Sequence, residues 1–168
     1  MIRGEKVALR PLSREDLPVL GEMLAKPGVA HYWPNYDAAR LEKDVFGPDS
    51  DDLTAFVVEF EGRTAGLIWY YEEKEPEYRY AGIDMFIDCD FQSMGLGSDS
   101  LRAIARHLFE ERKHHRIVID PRVSNDRAVH VYKKVGFKPV GVMRRYEDLL
   151  DGRYEDGLLM DMLPEDLA

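Results

Sequence analysis

The stretch Gln92-Ser93-Met94-Gly95-Leu96-Gly97 joins a predicted strand, residues 81–88, to a predicted helix that runs from residue 98 to about residue 112. A glycine-bearing turn that opens a helix leaves successive backbone N–H groups unpaired at the positive end of the helix dipole. Such donors suit a phosphate or a pyrophosphate, and glycine lets that group approach the backbone closely. The same turn is equally typical of plain helix packing, so the pattern alone leaves both interpretations open.

Two familiar phosphate-binding motifs do not fit this turn. A Walker-type loop has Lys-Ser or Lys-Thr after its last glycine, whereas Ser98-Asp99 follows Gly97. A dinucleotide fingerprint has a third glycine or alanine three residues later, where Ser100 stands. The turn is therefore typical of neither motif.

The segments on either side of the turn predict one mixed α/β domain over residues 1–168. Apolar residues at helical spacing behind the caps Ser13, Asp37 and Asn125 predict helices. In residues 81–88 strict alternation puts Asp84 and Phe86 on one face of a strand. The predicted strands cover residues 6–10, 53–60, 64–71, 81–88, 116–120, 137–143 and 157–163, with a turn at residues 151–152 between the last two.

The composition is that of a globular protein, with 45% hydrophobic and 33% charged residues and a net charge of −9. This acidic balance argues against a nucleic-acid binder, which needs a basic surface for the phosphates. No apolar run approaches the ~20 residues of a membrane span, and residues 1–6 lack a secretory signal, so we expect a cytoplasmic protein without a membrane partner. Cys89 is the single cysteine and the five histidines show no ligand spacing, so we expect neither a disulfide nor a metal.

Two motifs, in order along the chain, resemble the GNAT superfamily of N-acetyltransferases. Gln92-x-x-Gly95-x-Gly97 between a strand and a helix resembles the acyl-coenzyme A signature Q/R-x-x-G-x-G/A. Downstream, the segment from Asn125 to Phe137 is similar to N-x-x-A-x-x-x-Y-x-K-x-G-F. The opening Leu9-Arg10-Pro11-Leu12 is also similar to the start of that family, so the resemblance covers nearly the whole chain.

The resemblance implies the α/β GNAT fold, in which a mixed, mostly antiparallel sheet flanked by helices is splayed open between its fourth and fifth strands. It also implies acetyl-coenzyme A (acetyl-CoA) as co-substrate. The strand edge near Phe86 and Ile87 would pair with the pantetheine arm, and the amides from Gln92 to Ser98 would hold the pyrophosphate. Asn125 would reach the pantetheine or acyl end, and Tyr132 would lie near the thioester sulfur. The expected cofactor-binding residues are Phe86, Ile87, Gln92, Ser93, Met94, Gly95, Leu96, Gly97, Ser98, Asn125 and Tyr132.

Transfer to an amine needs a base, because an alkylamine with a pKa of ~10.4 is almost fully protonated at pH 7. Asp84 is the first candidate, since it lies on the strand that should flank the acyl site. Tyr132 suits the role of acid to the departing thiolate, and a backbone N–H of residues 85–87 would polarise the carbonyl. Each has a structural alternative, because Asp84 also fits a solvent-facing strand residue and Tyr132 fits the core stripe of its helix.

The acceptor is expected to be a small cationic, aminoglycoside-like amine. Residues 82–84 and Asp120-Pro121 resemble positions of the aminoglycoside 6′-N-acetyltransferases at which aspartates contact the sugar amine. Trp33 and Tyr36 belong to an aromatic loop in the region that covers the acceptor in this family. The expected substrate-binding residues are Trp33, Tyr36, Asp84 and Asp120.

Other interpretations stay open at this point. Asp120 fits a cap at the end of a strand, and the aromatic loop fits plain packing. The residues 151–154 hairpin resembles the ribosomal-protein N-acetyltransferases, so transfer to a protein N-terminus is an alternative function. A coenzyme A-binding module without catalysis is a third, and the chain is expected to be a monomer or a homodimer.

Overall fold

The strands of the computed structural model, which describes residues 1–48 and 50–168, lie in one mixed sheet. The strands are β1 (Ile2–Arg3), β2 (Ala8–Pro11), β3 (Leu53–Phe60), β4 (Arg63–Glu73), β5 (Tyr80–Ile87), β6 (Ile117–Ile119), β7 (Lys138–Asp148) and β8 (Tyr154–Met162). The α-helices are α1 (Leu17–Ala25), α2 (Pro27–Ala30), α3 (Ala38–Phe46), α4 (Leu96–Glu110) and α5 (Asp126–Val135). Short 3₁₀ turns cover Arg14–Asp16, Cys89–Phe91 and Pro164–Asp166. Neighbouring strands follow the order β1-β2-β3-β4-β5-β6-β8-β7.

β5 and β6 are parallel to each other and separate soon after they meet. β5 pairs with β4 over its whole length, but with β6 only at Ala81 and Gly82. The other neighbouring strands are antiparallel. The expected mostly antiparallel sheet with a splayed centre is therefore confirmed. The opening lies between the fifth and sixth strands of this numbering because the two-residue β1 precedes the predicted strands.

The register of the parallel pair puts two carboxylates on opposite sides of this opening. Ala81 pairs with Ile117 and Gly82 with Val118. The same offset relates Asp84 on β5 to Asp120, which follows directly after β6.

Helices cover both faces of the sheet. Ile83 packs with Leu101 of α4 in one hydrophobic cluster. Phe86 packs with Leu41 of α3 in a second cluster. The alternation predicted for residues 81–88 is confirmed, because Ile83 and Phe86 lie in different clusters.

Some boundaries differ from the sequence predictions. α4 begins at Leu96 and not at residue 98, because Gly95, with a φ of 80°, forms the N-cap. β7 and β8 are longer than expected, because the hairpin pairing continues as far as Asp148 and Tyr154. The sequence pattern does not predict β1 or α2, since both are too short for a periodicity to show.

Asp99, in the first turn of α4, fixes the N-terminal segment to this helix. Its carboxylate accepts hydrogen bonds from the backbone N–H groups of Glu5 (2.9 Å), Lys6 (2.7 Å) and Val7 (2.9 Å). The Lys6 side chain then donates to the Met94 carbonyl at 3.0 Å. Burial opposes ionisation of Asp99, but the three donors outweigh it and lower its pKa.

We expect Asp99→Ala to lower the free energy of unfolding by about 2–3 kcal/mol at pH 7, because it leaves backbone donors unpaired. The lowered pKa gives the sign with pH: this stabilisation is present above the unfolded pKa of ~3.9 and is lost as the pH falls through the folded value. Urea unfolding at pH 7 and in acid measures both. The difference between wild type and variant should shrink in acid, and a difference that persists there would contradict the ionic role of Asp99.

Candidate active site

The turn before α4 presents a row of free backbone donors. Among the described residues, no acceptor pairs with the amide N–H groups of residues 93–98. Ser93 (φ 66°) and Gly95 (φ 80°) have left-handed backbones, which curl the chain into the start of the helix. The 15-residue α4 adds the positive end of its dipole. This arrangement fits a pyrophosphate.

The Gln92 side chain holds the turn in place. Its Nε2 donates to the carbonyl of Ile87 at 3.1 Å, and its Oε1 accepts from the guanidinium of Arg127 on α5. Gln92 therefore joins the end of β5 to α5 across the turn. Arg127 also brings a positive charge to this side of the molecule.

A backbone edge of β5 is open next to the turn. Among the described residues, no strand pairs with β5 on the β6 side beyond Gly82. The Phe86 side chain is buried and packs edge-on against Trp33, with 5.5 Å between ring centroids. The N–H of Asp88 bonds towards β4, so alternation along β5 directs the backbone groups of Phe86 to β4 as well, contrary to expectation, and those of Ile87 to the open edge. At this edge Ile87 therefore offers its N–H group, with which an extended amide chain such as pantetheine can pair.

A cleft of about 690 Å³ occupies the opening between β5 and β6. The four expected acceptor residues line it, and so do Asn125 and Tyr132, whereas residues 92–98 lie outside it. The structure thus brings the expected acceptor residues together. It puts the turn of residues 92–98, which we call the phosphate turn, at the other end of the β5 edge. The residues that line the cleft include Trp33, Tyr36, Trp69, Tyr71, Asp84, Asp120, Asn125, Tyr132, Tyr146, Asp148 and Asp156.

Asp84 and Asp120 form the acidic floor of the cleft, and an aromatic donor holds each of them. The indole Nε1 of Trp69 donates to Oδ2 of Asp84 at 3.0 Å, and the Tyr146 hydroxyl donates to Oδ2 of Asp120 at 2.6 Å. Burial, and then the charge of Asp120, raise the pKa of Asp84 to about 6, although the Trp69 hydrogen bond acts in the opposite direction. Asp84 is therefore mostly ionised at pH 7 but accepts a proton more readily than an ordinary aspartate.

Tyr132 and Asn125 approach the same cleft from α5. The Tyr132 side chain is buried, and burial, followed by the charges of Asp84 and Asp120, raises its pKa above the usual value. Its hydroxyl thus stays protonated at neutral pH. Asn125 caps α5, because its Oδ1 accepts from the N–H of Ala128 at 3.2 Å, so its side-chain nitrogen is the group left for a ligand.

The aromatic loop, residues 32–36, lines the cleft and also packs against its neighbours. Acceptor binding and plain packing are therefore compatible interpretations of this loop. The Trp33 ring lies edge-on to Trp69, with 5.1 Å between centroids, and the Tyr36 hydroxyl donates to Asp44 at 2.8 Å. Arg122, only 8% exposed, donates to the carbonyl of His31 at 2.8 Å and pairs with Glu147. This contact fixes the beginning of the loop to β7.

The cleft residues that sequence reasoning missed include three aromatic ones: Trp69, Tyr71 and Tyr146. Trp69 pairs directly with Asp84 across β4 and β5, and Tyr71 follows on the same face. Because Trp69 and Tyr71 are two positions apart, they lie on one face of β4. Pairing β4 with β5 would have placed that face beside Asp84. Tyr146 carried no such signal, because the predicted strand ended before it.

The described part of the chain holds no group of three or more His, Cys, Asp or Glu residues that could bind a metal ion. None of its helices is both long and apolar enough to cross a membrane.

Comparisons with known proteins show the family to which the chain belongs. Residues 13–145 match the family model of the acetyltransferase (GNAT) domain. The chain is 27% identical to the spermidine N(1)-acetyltransferase of Escherichia coli K12 over 164 residues, which covers 95% of this chain and 87% of that protein. It is 28% identical to an aminoglycoside N(6′)-acetyltransferase type 1 of Klebsiella pneumoniae over 158 residues, 83% of this chain and 78% of that protein.

Among solved structures, a spermidine N-acetyltransferase of Vibrio cholerae in complex with CoA and spermine superimposes with a TM-score of 0.81. It is 25% identical, and the match covers 96% of this chain and 97% of the other. The chain belongs to the GNAT acetyltransferase family, so the resemblance drawn from the two motifs is confirmed. It is an acetyl-CoA-dependent N-acetyltransferase.

Proposed function

We propose that this protein transfers an acetyl group from acetyl-CoA to a primary amine of a small cationic, aminoglycoside-like acceptor, by direct attack in a ternary complex. The observation that carries this proposal is the pair Asp84 and Asp120, which faces an aromatic cleft at the open edge of β5. Related enzymes of this family act on spermidine and on aminoglycosides, which are polycationic amines.

The charge of the cleft supports a cationic acceptor. Asp148 and Asp156 line it in addition to the two floor carboxylates. The guanidinium of Arg122, which also lines it, is neutralised by Glu147. Indole and phenol rings around these carboxylates attract ammonium groups through their faces. An acceptor with several amines can therefore meet a carboxylate at more than one point.

Asp84 is the proposed general base. A pKa of about 6 leaves it ionised at pH 7 and close to the value at which proton transfer is efficient. We infer that Asp120 binds the ammonium form of the acceptor and that Asp84 takes its proton. The thioester, when bound, supplies the activated acetyl group.

Tyr132 is the proposed acid at the departing thiolate. Its raised pKa keeps the phenol protonated, as a donor must be. Because such a phenol is a weak acid, it would first stabilise the developing thiolate by a hydrogen bond and then pass its proton to the sulfur, and a proton released by the amine would restore the phenol.

The proposed acetyl-CoA site runs from the phosphate turn to the cleft. The free N–H groups of residues 93–98 would bind the pyrophosphate, with Gln92 as the support of the turn. The backbone of Ile87 would pair with the pantetheine arm beside the buried Phe86, and Asn125 would meet its acyl end. We also infer that residues 1–168 form a single domain, since β1 and β8, from the two ends of the chain, join one sheet.

An assay of thiol release over a panel of amines tests the proposed function. We expect turnover with aminoglycosides or polyamines, and weaker turnover with monoamines and peptide N-termini. Turnover with peptides alone would instead favour protein N-terminal acetylation. Binding of acetyl-CoA without turnover of any amine would favour a module without catalysis.

A further inference from the structure

We propose that Trp69 is a positioning residue for acetyl transfer, because its indole N–H holds one oxygen of Asp84 and leaves the other oxygen for the acceptor amine. This inference rests on the proposed function, in which Asp84 is the base. Neither the family signature nor the sequence pattern assigns Trp69 a role.

The geometry that carries the inference is a cross-strand pair. Trp69 on β4 lies directly opposite Asp84 on β5, so both side chains leave the sheet on the same face. Nε1 of Trp69 is 3.0 Å from Oδ2 of Asp84. An indole N–H can only donate, so the oxygen that it meets is fixed as an acceptor. Among the described residues no donor reaches Oδ1 of Asp84, which leaves that oxygen for the amine.

The indole cannot easily swing away from Asp84. Trp69 is 6% exposed, and its ring lies edge-on to Trp33 at 5.1 Å and close to Tyr36 at 5.8 Å. These rings belong to the aromatic loop that lines the cleft. Packing against the loop therefore fixes the indole of Trp69. The indole in turn fixes the carboxylate of Asp84, which lines the cleft proposed for the acceptor.

The hydrogen bond from Trp69 also favours the ionised form of Asp84. Burial and the charge of Asp120 both favour the protonated carboxyl, whereas a hydrogen bond to the carboxylate opposes them. Four phenols interact with the charge of Asp84, and their raised pKa values keep them neutral at pH 7: Tyr36, Tyr71, Tyr132 and Tyr146. The further carboxylates that line the cleft are Glu147, Asp148 and Asp156. The two cations that line the cleft are occupied elsewhere, since Arg40 lies over the Tyr36 ring and Arg122 pairs with Glu147.

The test is Trp69→Phe, which keeps an aromatic ring and removes the donor. We expect kcat/KM for the acceptor at pH 7 to fall about tenfold or more, and the acid limb of its pH profile to move up by about 0.5–1 pH unit. The KM for acetyl-CoA should change less than about twofold, because the phosphate turn is untouched. An acid limb that stays in place would show that Trp69 only packs, and would overturn the inference.

Trp33→Phe is the matched control, because it alters the same ring cluster without touching Asp84. We expect it to change the KM for the acceptor and to leave the acid limb in place. A double-mutant cycle with Asp84→Asn adds a second readout: once the base is absent, Trp69→Phe should cost little further activity. Fully additive losses would contradict the inference.

Carboxyl carbon NMR of Asp84 separates this inference from the proposed function. Trp69→Phe should raise the titration midpoint of Asp84 whichever amine is the acceptor. If wild type acetylates no amine, the proposed function fails, while the NMR titration still decides whether Trp69 controls Asp84. An unchanged midpoint would overturn the inference.

Discussion

Asp84→Asn is expected to lower kcat/KM for the acceptor amine by about 10²–10⁴ at pH 7, the range of a lost general base. The amide keeps an oxygen for the indole of Trp69, so the cleft should retain its shape. Wild-type activity should fall as the pH drops below about 6, where Asp84 becomes protonated. The Asp84→Asn variant should not show this fall of activity in acid, which is the acid limb of the pH profile. Steady-state kinetics from pH 5 to pH 9 measure both effects.

Tyr132→Phe removes the proposed acid and leaves the proposed base, so comparing it with Asp84→Asn distinguishes the two roles. Losing a hydrogen bond to a developing charge should cost about 1.5–3 kcal/mol, or roughly 10–150-fold in kcat. The acid limb should persist in this variant, because Asp84 is intact. If Asp84→Asn retained nearly full activity with an unchanged pH profile, Asp84 would not be the base.

The second large effect is expected at the phosphate turn, where Gly97→Val should weaken acetyl-CoA binding about 100-fold, or roughly 2.7 kcal/mol. A Cβ at Gly97 would lie 3.7 Å from Ile87 Cγ1 and 3.8 Å from Met85 Cε, which is ordinary contact. We therefore expect the fold to tolerate a methyl group, whereas the two extra methyl groups of valine would crowd the space beside Ile87 and Met85. Titration calorimetry with acetyl-CoA measures the change.

Gly141→Ala on β7 is the control for this variant, since a Cβ there meets nothing within 4 Å and lies away from the turn. It should bind acetyl-CoA like wild type. Gly97→Ala should fall between the two, with unfolding little changed. If Gly97→Val bound acetyl-CoA with wild-type affinity, the pyrophosphate would not bind at this turn.

Much of the fold could be predicted because local patterns determine it. The alternation around Asp84 and the cap at Asn125 depend on neighbours in sequence, and both are present in the structure. The turn at residues 92–97 was recognised for the same reason. Its helix starts two residues early because the left-handed Gly95 is a backbone feature that the pattern does not encode.

The rest of the site depends on strand pairing and on distant contacts. Trp69 becomes a partner of Asp84 only through the register of β4 and β5. Tyr146 reaches Asp120 only because the β7–β8 hairpin folds back over the opening. The Arg122 contact with His31 spans 91 positions, which no local pattern reports. The spacing around Trp69 becomes informative only once the two strands are paired, and Tyr146 and Arg122 carry no periodic signal, so the sequence alone could not assign these residues.

The early separation of β5 and β6 has a kinetic consequence. The phosphate turn sits at the start of α4, whereas the acidic cleft is walled by the aromatic loop that precedes α3, and the two regions meet only at the free edge of one strand. If acetyl-CoA and the acceptor bind at these two regions as proposed, neither reactant has to leave before the other arrives. Initial velocities at several fixed levels of one reactant should therefore give intersecting, not parallel, reciprocal plots.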